Sequence, residues 1–120
     1  MDPRTVLVVA DDLIWASRLV AAADRAGARG RIAHDTAELA AGLAERDTAA
    51  VIVDLNGRRY DGVEAVRAAA EAGGPVLAVG QHEDLELRRR ALAAGAQRVF
   101  SYNKMFRDGP RVVAQLIGAS

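Results

Sequence analysis

Cysteine is absent from the 120 residues of this chain. Its absence excludes disulfide bonds, thiol catalysis and thiolate metal sites, and makes a reducing compartment the simplest expectation. The chain also lacks an excess of either charge, because 16 basic residues balance 16 acidic ones. Such a balance gives no electrostatic footprint for nucleic acid or for an anionic membrane, so we expect neither as a direct partner.

Long apolar runs are missing as well. The longest uninterrupted runs are far too short to span a bilayer, and the first residues lack the basic-then-apolar layout of a signal peptide. We therefore expect a cytoplasmic protein. Residues 1–120 contain no repeat, linker or low-complexity stretch, which at this length predicts one domain. Whether that domain is a whole protein or part of a longer one stays open.

Short apolar runs alternate with helical periodicity along the chain. Residues 50–53 are all apolar and show no polar alternation, which suits a strand buried on both faces of a parallel sheet. Strands are predicted over 5–10, 30–33, 50–53, 76–79 and 98–102, and helices begin near residues 12, 35, 61, 84 and 108. Five strands alternating with five helices predict an α/β fold with a parallel sheet covered on both faces.

Acidic residues follow two of the predicted strands. Asp11 and Asp12 come after the first strand, and Asp54 ends the third. In open parallel sheets, binding sites form just beyond the carboxyl ends of the strands. Asp12 also suits the N-cap of the first helix. Leu13 and Ile14 come next, and an apolar pair at a helix start beside such a site hints at a partner surface.

Three segments, in this order and spacing, resemble the receiver domain of response regulators. They are Val8-Val9 with the acids that follow, Val53-Asp54-Leu55 with Asp61-Gly62 seven residues on, and the run from Arg88 to Ala96. The resemblance covers nearly the whole chain. It implies a flavodoxin-like (βα)5 fold, a doubly wound five-stranded parallel sheet in the order 2-1-3-4-5. It also implies phosphorelay signalling, in which a phosphoryl group passes from a partner histidine to an aspartate beside a magnesium ion.

The family's motif identifies Asp54 as the candidate phosphoacceptor. By the same match, the candidate magnesium ligands are Asp11, Asp54 and the backbone carbonyl of Asn56. Oxygen ligands of this kind suit Mg²⁺. A divalent ion would neutralise part of the charge on a phosphoryl group during its transfer.

Several other positions depart from the family's pattern. The first acid after strand one falls on Ala10, and the hydroxyl that ends strand four falls on Gly80. The lysine that ends strand five falls on Tyr102, or on Lys104 if two residues are inserted, and the family's next proline is missing in both registers. The aromatic switch position falls on Val99. Losing an oxyanion-type donor commonly costs about 2–4 kcal/mol of transition-state stabilisation.

These departures favour an atypical response regulator, a pseudo-receiver that is not an enzyme and binds protein partners largely independently of phosphorylation. The partner would be a histidine kinase, a downstream effector or a second copy, by analogy through the face of helix 4, strand 5 and helix 5. Magnesium would be possible but not required. The alternative is a working phosphoacceptor that uses Asp54 with Mg²⁺. A flavin or nucleotide site is disfavoured, because residues 10–14 are acidic and apolar instead of rich in Gly, Ser and Thr.

Overall fold

The computed structural model of this chain describes residues 4–118. Five strands alternate with five helices along these residues. The strands are β1 (Thr5–Val9), β2 (Arg29–Ala33), β3 (Thr48–Asp54), β4 (Val76–Gly80) and β5 (Arg98–Ser101). The helices are α1 (Leu13–Arg25), α2 (Thr36–Leu43), α3 (Gly62–Glu71), α4 (Leu85–Ala94) and α5 (Tyr102–Gly118). Within residues 4–118, no helix is both long and apolar enough to cross a membrane.

The five strands form one parallel sheet in the order β2-β1-β3-β4-β5. The predicted α/β fold and strand order are therefore confirmed. Val9 at the end of β1 pairs with Val53, and Asp54 at the end of β3 pairs with Val79. This register places the carboxyl ends of β1, β3 and β4 at the same edge of the sheet.

The core has two layers, one on each face of the sheet. Leu7 and Val9 of β1 belong to the layer covered by α2, α3 and α4, whereas Val6 and Val8 belong to the layer covered by α1 and α5. This alternation follows from the strand geometry, in which successive side chains point to opposite faces. Because β1 is apolar on both faces, it is buried throughout.

Each of the first four helices begins after an aspartate. The carboxylate of each aspartate accepts a hydrogen bond from a backbone amide three residues later, and the four caps are Asp12, Asp35, Asp61 and Asp84. The predicted capping role of Asp12 is confirmed. A cap of this kind typically stabilises a helix by about 1 kcal/mol.

The last helix differs from the prediction. The sequence predicted a strand through Tyr102 and a helix from Asp108, but β5 ends at Ser101 and α5 begins at Tyr102. The Ser101 hydroxyl oxygen accepts a hydrogen bond from the Lys104 amide at 3.1 Å, which satisfies one free donor of the first turn. Asp108 (φ −124°, ψ 16°) then kinks the helix, so Pro110 falls in the first turn after the kink, where proline is tolerated.

Candidate functional site

Asp54 lies at the carboxyl edge of the sheet and is only 2% exposed. Its Oδ1 accepts a hydrogen bond from the Tyr102 hydroxyl at 2.5 Å and another from the Asn56 amide at 3.1 Å. The Asn56 side-chain Nδ2 donates to the Tyr102 oxygen at 2.9 Å. The three residues thus form a closed set of hydrogen bonds, in which the Tyr102 hydroxyl both donates and accepts.

Tyr102 is held from the other side by aromatic packing. The Trp15 ring lies 4.6 Å from the Tyr102 ring, centroid to centroid, at an interplanar angle of 42°. The Arg18 guanidinium lies 5.2 Å from the centroid of Trp15 and 5.0 Å from that of Phe106. Tilted ring pairs and cations over ring faces are both attractive arrangements. A continuous row of contacts therefore joins Asp54 to the surface between α1 and α5.

Asp11 holds the loop between β3 and α3. Its Oδ2 accepts hydrogen bonds from the backbone amides of Arg58 at 2.7 Å and of Arg59 at 2.6 Å. Hydrogen bonds to an ionised carboxylate are the stronger kind. The sequence predicted Asp11 as a metal ligand, and the structure gives it an additional role as an anchor for this loop.

Tyr60, in the same loop, is a site residue that the sequence reasoning missed. Its buried hydroxyl lies 2.6 Å from the Asp54 carbonyl and 3.0 Å from the Val9 carbonyl, so one donor serves the ends of β1 and β3. The pKa of Tyr60 lies well above the usual range, and burial is the largest cause of this rise. A Cβ on Gly57 would lie 2.1 Å from this ring, which explains the glycine. No local sequence pattern could predict the contact of Tyr60 with Val9, because the two residues are 51 positions apart in the sequence.

Burial dominates the electrostatics of Asp54. It raises the pKa of the Asp54 carboxyl above the ordinary value, and the hydrogen bonds from Tyr102 and Asn56 oppose that rise. The negative charges of Asp12 and Asp11 add smaller raising effects. Removing the charge at Asp54 should therefore favour the folded state.

We expect Asp54→Asn to stabilise the chain at pH 7. The raised pKa means that the folded state binds the proton more tightly, so the wild type loses stability as pH rises from the unfolded value, about 3.9, through the folded one. The asparagine variant has no carboxylate to desolvate, so its free energy of unfolding should exceed that of the wild type at pH 7, and the difference should shrink towards pH 3.5. Urea unfolding at pH 7 and pH 3.5 measures this difference. Asp12→Asn, a change to an equally good N-cap, should shift stability by less than about 0.5 kcal/mol. An advantage for Asp54→Asn that does not vary with pH would contradict the expectation.

The predicted magnesium ligands lie near one another at the edge of the sheet. One oxygen of Asp11 and one of Asp54 each accept two hydrogen bonds, and no residue among 4–118 donates to the second oxygen of either. Within the same range no fully buried side-chain oxygen lacks a partner, so Asp54 Oδ2 retains solvent contact. Residues 4–118 contain no cluster of three or more His, Cys, Asp or Glu side chains placed for a metal. The oxygens without hydrogen bonds within this range, one on Asp11, one on Asp54 and the Asn56 carbonyl, are of the chemical type that Mg²⁺ prefers, and they would leave positions on the ion for several waters.

No hydrogen bond to the Asp54 carboxylate comes from Ala10, Gly80 or Lys104, three other positions that depart from the family's pattern. Ala10 is fully buried in the core layer of α1 and α5. Gly80 ends β4 in ordinary backbone geometry, and a Cβ there would lie 3.4 Å from the Leu55 side chain. The Lys104 amine pairs with Asp108 at 3.0 Å. Of these positions, Tyr102 is the one that contacts Asp54.

Comparisons with known proteins define the fold. The sequence matches no family model and no curated protein, but it matches solved structures. A response regulator from Thermotoga maritima superposes with a TM-score of 0.80 at 21% identity, covering 98% of this chain and 99% of that chain. The beryllofluoride-activated DrrB receiver domain gives 0.82 at 17% identity, covering 97% and 98%. A response regulator from Burkholderia pseudomallei, with a phosphorylated aspartic acid, a calcium ion and citrate, gives 0.74 at 20% identity, covering 97% and 71%.

The chain has the fold of response-regulator receiver domains. The resemblance that the sequence predicted is confirmed at that level. Identities of 17–21% define the fold alone, and the chemistry of the site depends on its own residues.

Proposed function

We propose that this chain is a receiver-like module of two-component signalling that binds protein partners largely independently of phosphorylation and catalyses no reaction. The observation that supports this most directly is the 2.5 Å hydrogen bond from Tyr102 to Asp54. Phosphoryl transfer needs an acceptor oxygen in line with the donor phosphorus. At Asp54, one of the two carboxylate oxygens is covered by the Tyr102 hydroxyl and the Asn56 amide.

The groups that would hold a phosphoryl group are also missing. Gly80 has no hydroxyl, and the Lys104 amine is paired with Asp108. A ligand shifts a conformational equilibrium only by its different affinity for the two states. A phosphoryl group on Asp54 would find few contacts able to provide such a difference.

The Tyr102 hydrogen bond takes the place of the contacts that a phosphoryl group would make. It fixes the first residue of α5 to the end of β3 and is charge-assisted, which makes it one of the stronger interactions of this kind. The same ring packs on Trp15 in α1. The arrangement of α1 and α5 is therefore set by the protein's own residues. A partner would meet one constant surface in place of a phosphate-dependent one.

The second candidate function is phosphate acceptance at Asp54 with Mg²⁺. The observation in its favour is the solvent contact of Asp54 Oδ2, with the second oxygen of Asp11 and the Asn56 carbonyl also without donors among residues 4–118. These three would hold the ion, which would neutralise charge on the phosphoryl oxygens. Solved structures of the same fold contain a phosphorylated aspartic acid or beryllofluoride.

Incubation with acetyl phosphate and Mg²⁺, followed by intact-mass measurement, separates the two functions. We expect no phosphoryl adduct on the wild type under conditions that label a typical receiver domain in the same tube. Asp54→Asn provides the background. An adduct on the wild type that is absent from Asp54→Asn would overturn phosphate independence. Beryllofluoride with Mg²⁺ offers a second readout, because a bound analogue would shift the amide resonances of residues 54–56.

The partner is proposed to be a histidine kinase or a downstream effector. The face of α4, β5 and α5 is the first surface to test, because Leu92 is exposed on α4 and Arg88 donates to the Val99 carbonyl of β5 at 2.9 Å. This arginine contact joins α4 to the edge strand, so the two elements present a single surface.

A further inference from the structure

Two of the exposed large apolar side chains of residues 4–118, Phe106 and Leu85, lie at places suited to a contact. Leu13 and Ile14 of α1 and Phe106 of α5 lie on one face of the sheet, and Leu85 and Leu92 of α4 lie on the other. Phe106 is 64% exposed and Leu85 is 70% exposed.

The first place is a groove between α1 and α5. It has a volume of about 220 Å³ and is lined by Arg18, Ala21, Ala22, Arg25, Met105, Phe106 and Pro110. The acids nearest in sequence are engaged elsewhere, because Asp24 accepts a hydrogen bond from the Gly30 amide and Asp108 pairs with Lys104. The α1–α5 groove therefore combines an apolar floor and an exposed aromatic ring with a positive rim.

The second place is the amino-terminal end of α4, residues 83–86, here called the α4 tip. Leu85 projects from it between three exposed acids, Glu83, Asp84 and Glu86. Each acid has a partner within the chain, because Glu86 pairs with Arg89, Glu83 pairs with His82 at 3.1 Å, and Asp84 caps the helix. The tip thus offers an apolar side chain among three carboxylates, and the rim of the groove carries two arginines.

We propose that the α4 tip of one copy docks into the α1–α5 groove of a second copy, with Leu85 against Phe106 and the acids of the tip opposite Arg18 and Arg25. The groove and the tip lie on opposite faces of the same sheet, so a copy cannot fill its own groove. The contact is therefore heterologous, and each added copy leaves one free groove and one free tip. Such a contact builds open chains, not a closed dimer.

The contact is expected to be weak and sensitive to salt. Each half comprises one exposed apolar side chain and a few charged ones, which is small beside a stable interface of about 1,600 Å². Exposed charge pairs are screened at about 10 Å in 0.1 M salt. The contact between the α4 tip and the α1–α5 groove rests on the proposed role as an interaction module. Different results would overturn the contact and the phosphate independence. A monomeric chain overturns the contact, and an adduct at Asp54 overturns phosphate independence.

Sedimentation velocity of the wild-type chain tests the contact first. Between about 10 μM and 1 mM protein in low salt, the weight-average mass should rise past that of two chains, and about 0.5 M NaCl should return it towards one. A mass that stays at one chain, or that stops at two, overturns the proposal.

Mixing two exposed-site variants tests the heterologous geometry. Arg18→Glu blocks the groove and keeps the tip, whereas Leu85→Ser removes the apolar side chain of the tip and keeps the groove. Each variant alone should remain monomeric, and an equal mixture should form pairs that stop at two chains. Leu92→Ser, on the same helix but outside the tip, should associate like the wild type. A mixture that stays monomeric, or single variants that still associate, would refute the proposed contact.

Discussion

Replacing Gly80 by threonine and Tyr102 by lysine in one chain should make Asp54 phosphorylatable by acetyl phosphate, at a rate at least about 10²-fold above the wild type. The first change supplies the hydroxyl that the fourth strand lacks. The second supplies the family's lysine amine and removes the hydrogen bond that covers Asp54 Oδ1. Removing one preorganised donor commonly costs about 10²–10³ in rate, so restoring two should exceed this threshold.

The structure has room for the new hydroxyl. A Cβ at Gly80 would lie 3.4 Å from the Leu55 side chain and 3.8 Å from the Asn56 Nδ2, which are ordinary contacts. Gly80 also has no positive φ, so a branched side chain is not strained there. Beside it lies a cavity of about 300 Å³ lined by Ser101 and Tyr102 among others. Gly80 and Tyr102 therefore both line this cavity, and Tyr102 also contacts Asp54.

Intact-mass time courses with Mg²⁺ measure the rates. Gly80→Thr and Tyr102→Lys alone should each give a smaller gain than the double variant, and adding Asp54→Asn to the pair should abolish labelling. Lys104→Gln is the matched control, because the Lys104 amine pairs with Asp108 and should not affect the rate. If the double variant stays as unreactive as the wild type, positions 80 and 102 do not limit the site.

The sheet and the position of Asp54 could be predicted from the sequence because both depend on local patterns. Val8 and Val9 end an apolar run at an acid, and residues 50–53 do the same before Asp54, so the end of each strand is visible in the sequence. Parallel pairing then brings the two ends together. The capping role of Asp12 follows from its place before an amphipathic stretch.

The contacts within the site could not be predicted, because they depend on where side chains and loops point. The start of α5 was misplaced, although Met105 and Phe106 stand at helical spacing from Tyr102. That error put Tyr102 at the end of a strand, so its place in the site was predicted but its hydrogen bond to Asp54 was not. The anchoring of the Arg58 amide by Asp11 depends on the path of a loop that no pattern describes. The fold thus follows from periodicity, whereas the chemistry depends on long-range hydrogen bonds such as those of Tyr102 and Asp11.

The Tyr102 hydroxyl should contribute measurably to stability, and its contribution should depend on pH. Tyr102→Phe removes a donor to a desolvated carboxylate and is expected to cost about 1.5–3 kcal/mol at pH 7. The hydroxyl favours the ionised form of Asp54 and so lowers the pKa of that carboxyl against the larger effect of burial. The cost of Tyr102→Phe should therefore grow as pH rises through the pKa of Asp54 and level off above it.

Urea unfolding of four chains tests this dependence: the wild type, Tyr102→Phe, Asp54→Asn and the double variant. With asparagine at position 54 the tyrosine donates to a neutral amide, so its removal should cost only about 0.5–1.5 kcal/mol at any pH. Tyr60→Phe is the matched control, because the Tyr60 hydroxyl donates to backbone carbonyls that do not titrate. A cost for Tyr102→Phe that is flat with pH would place the hydroxyl away from the carboxylate in solution. The Tyr102 hydrogen bond could then not fix α5 to the end of β3, and the proposal of a constant, phosphate-independent partner surface would lose its main support.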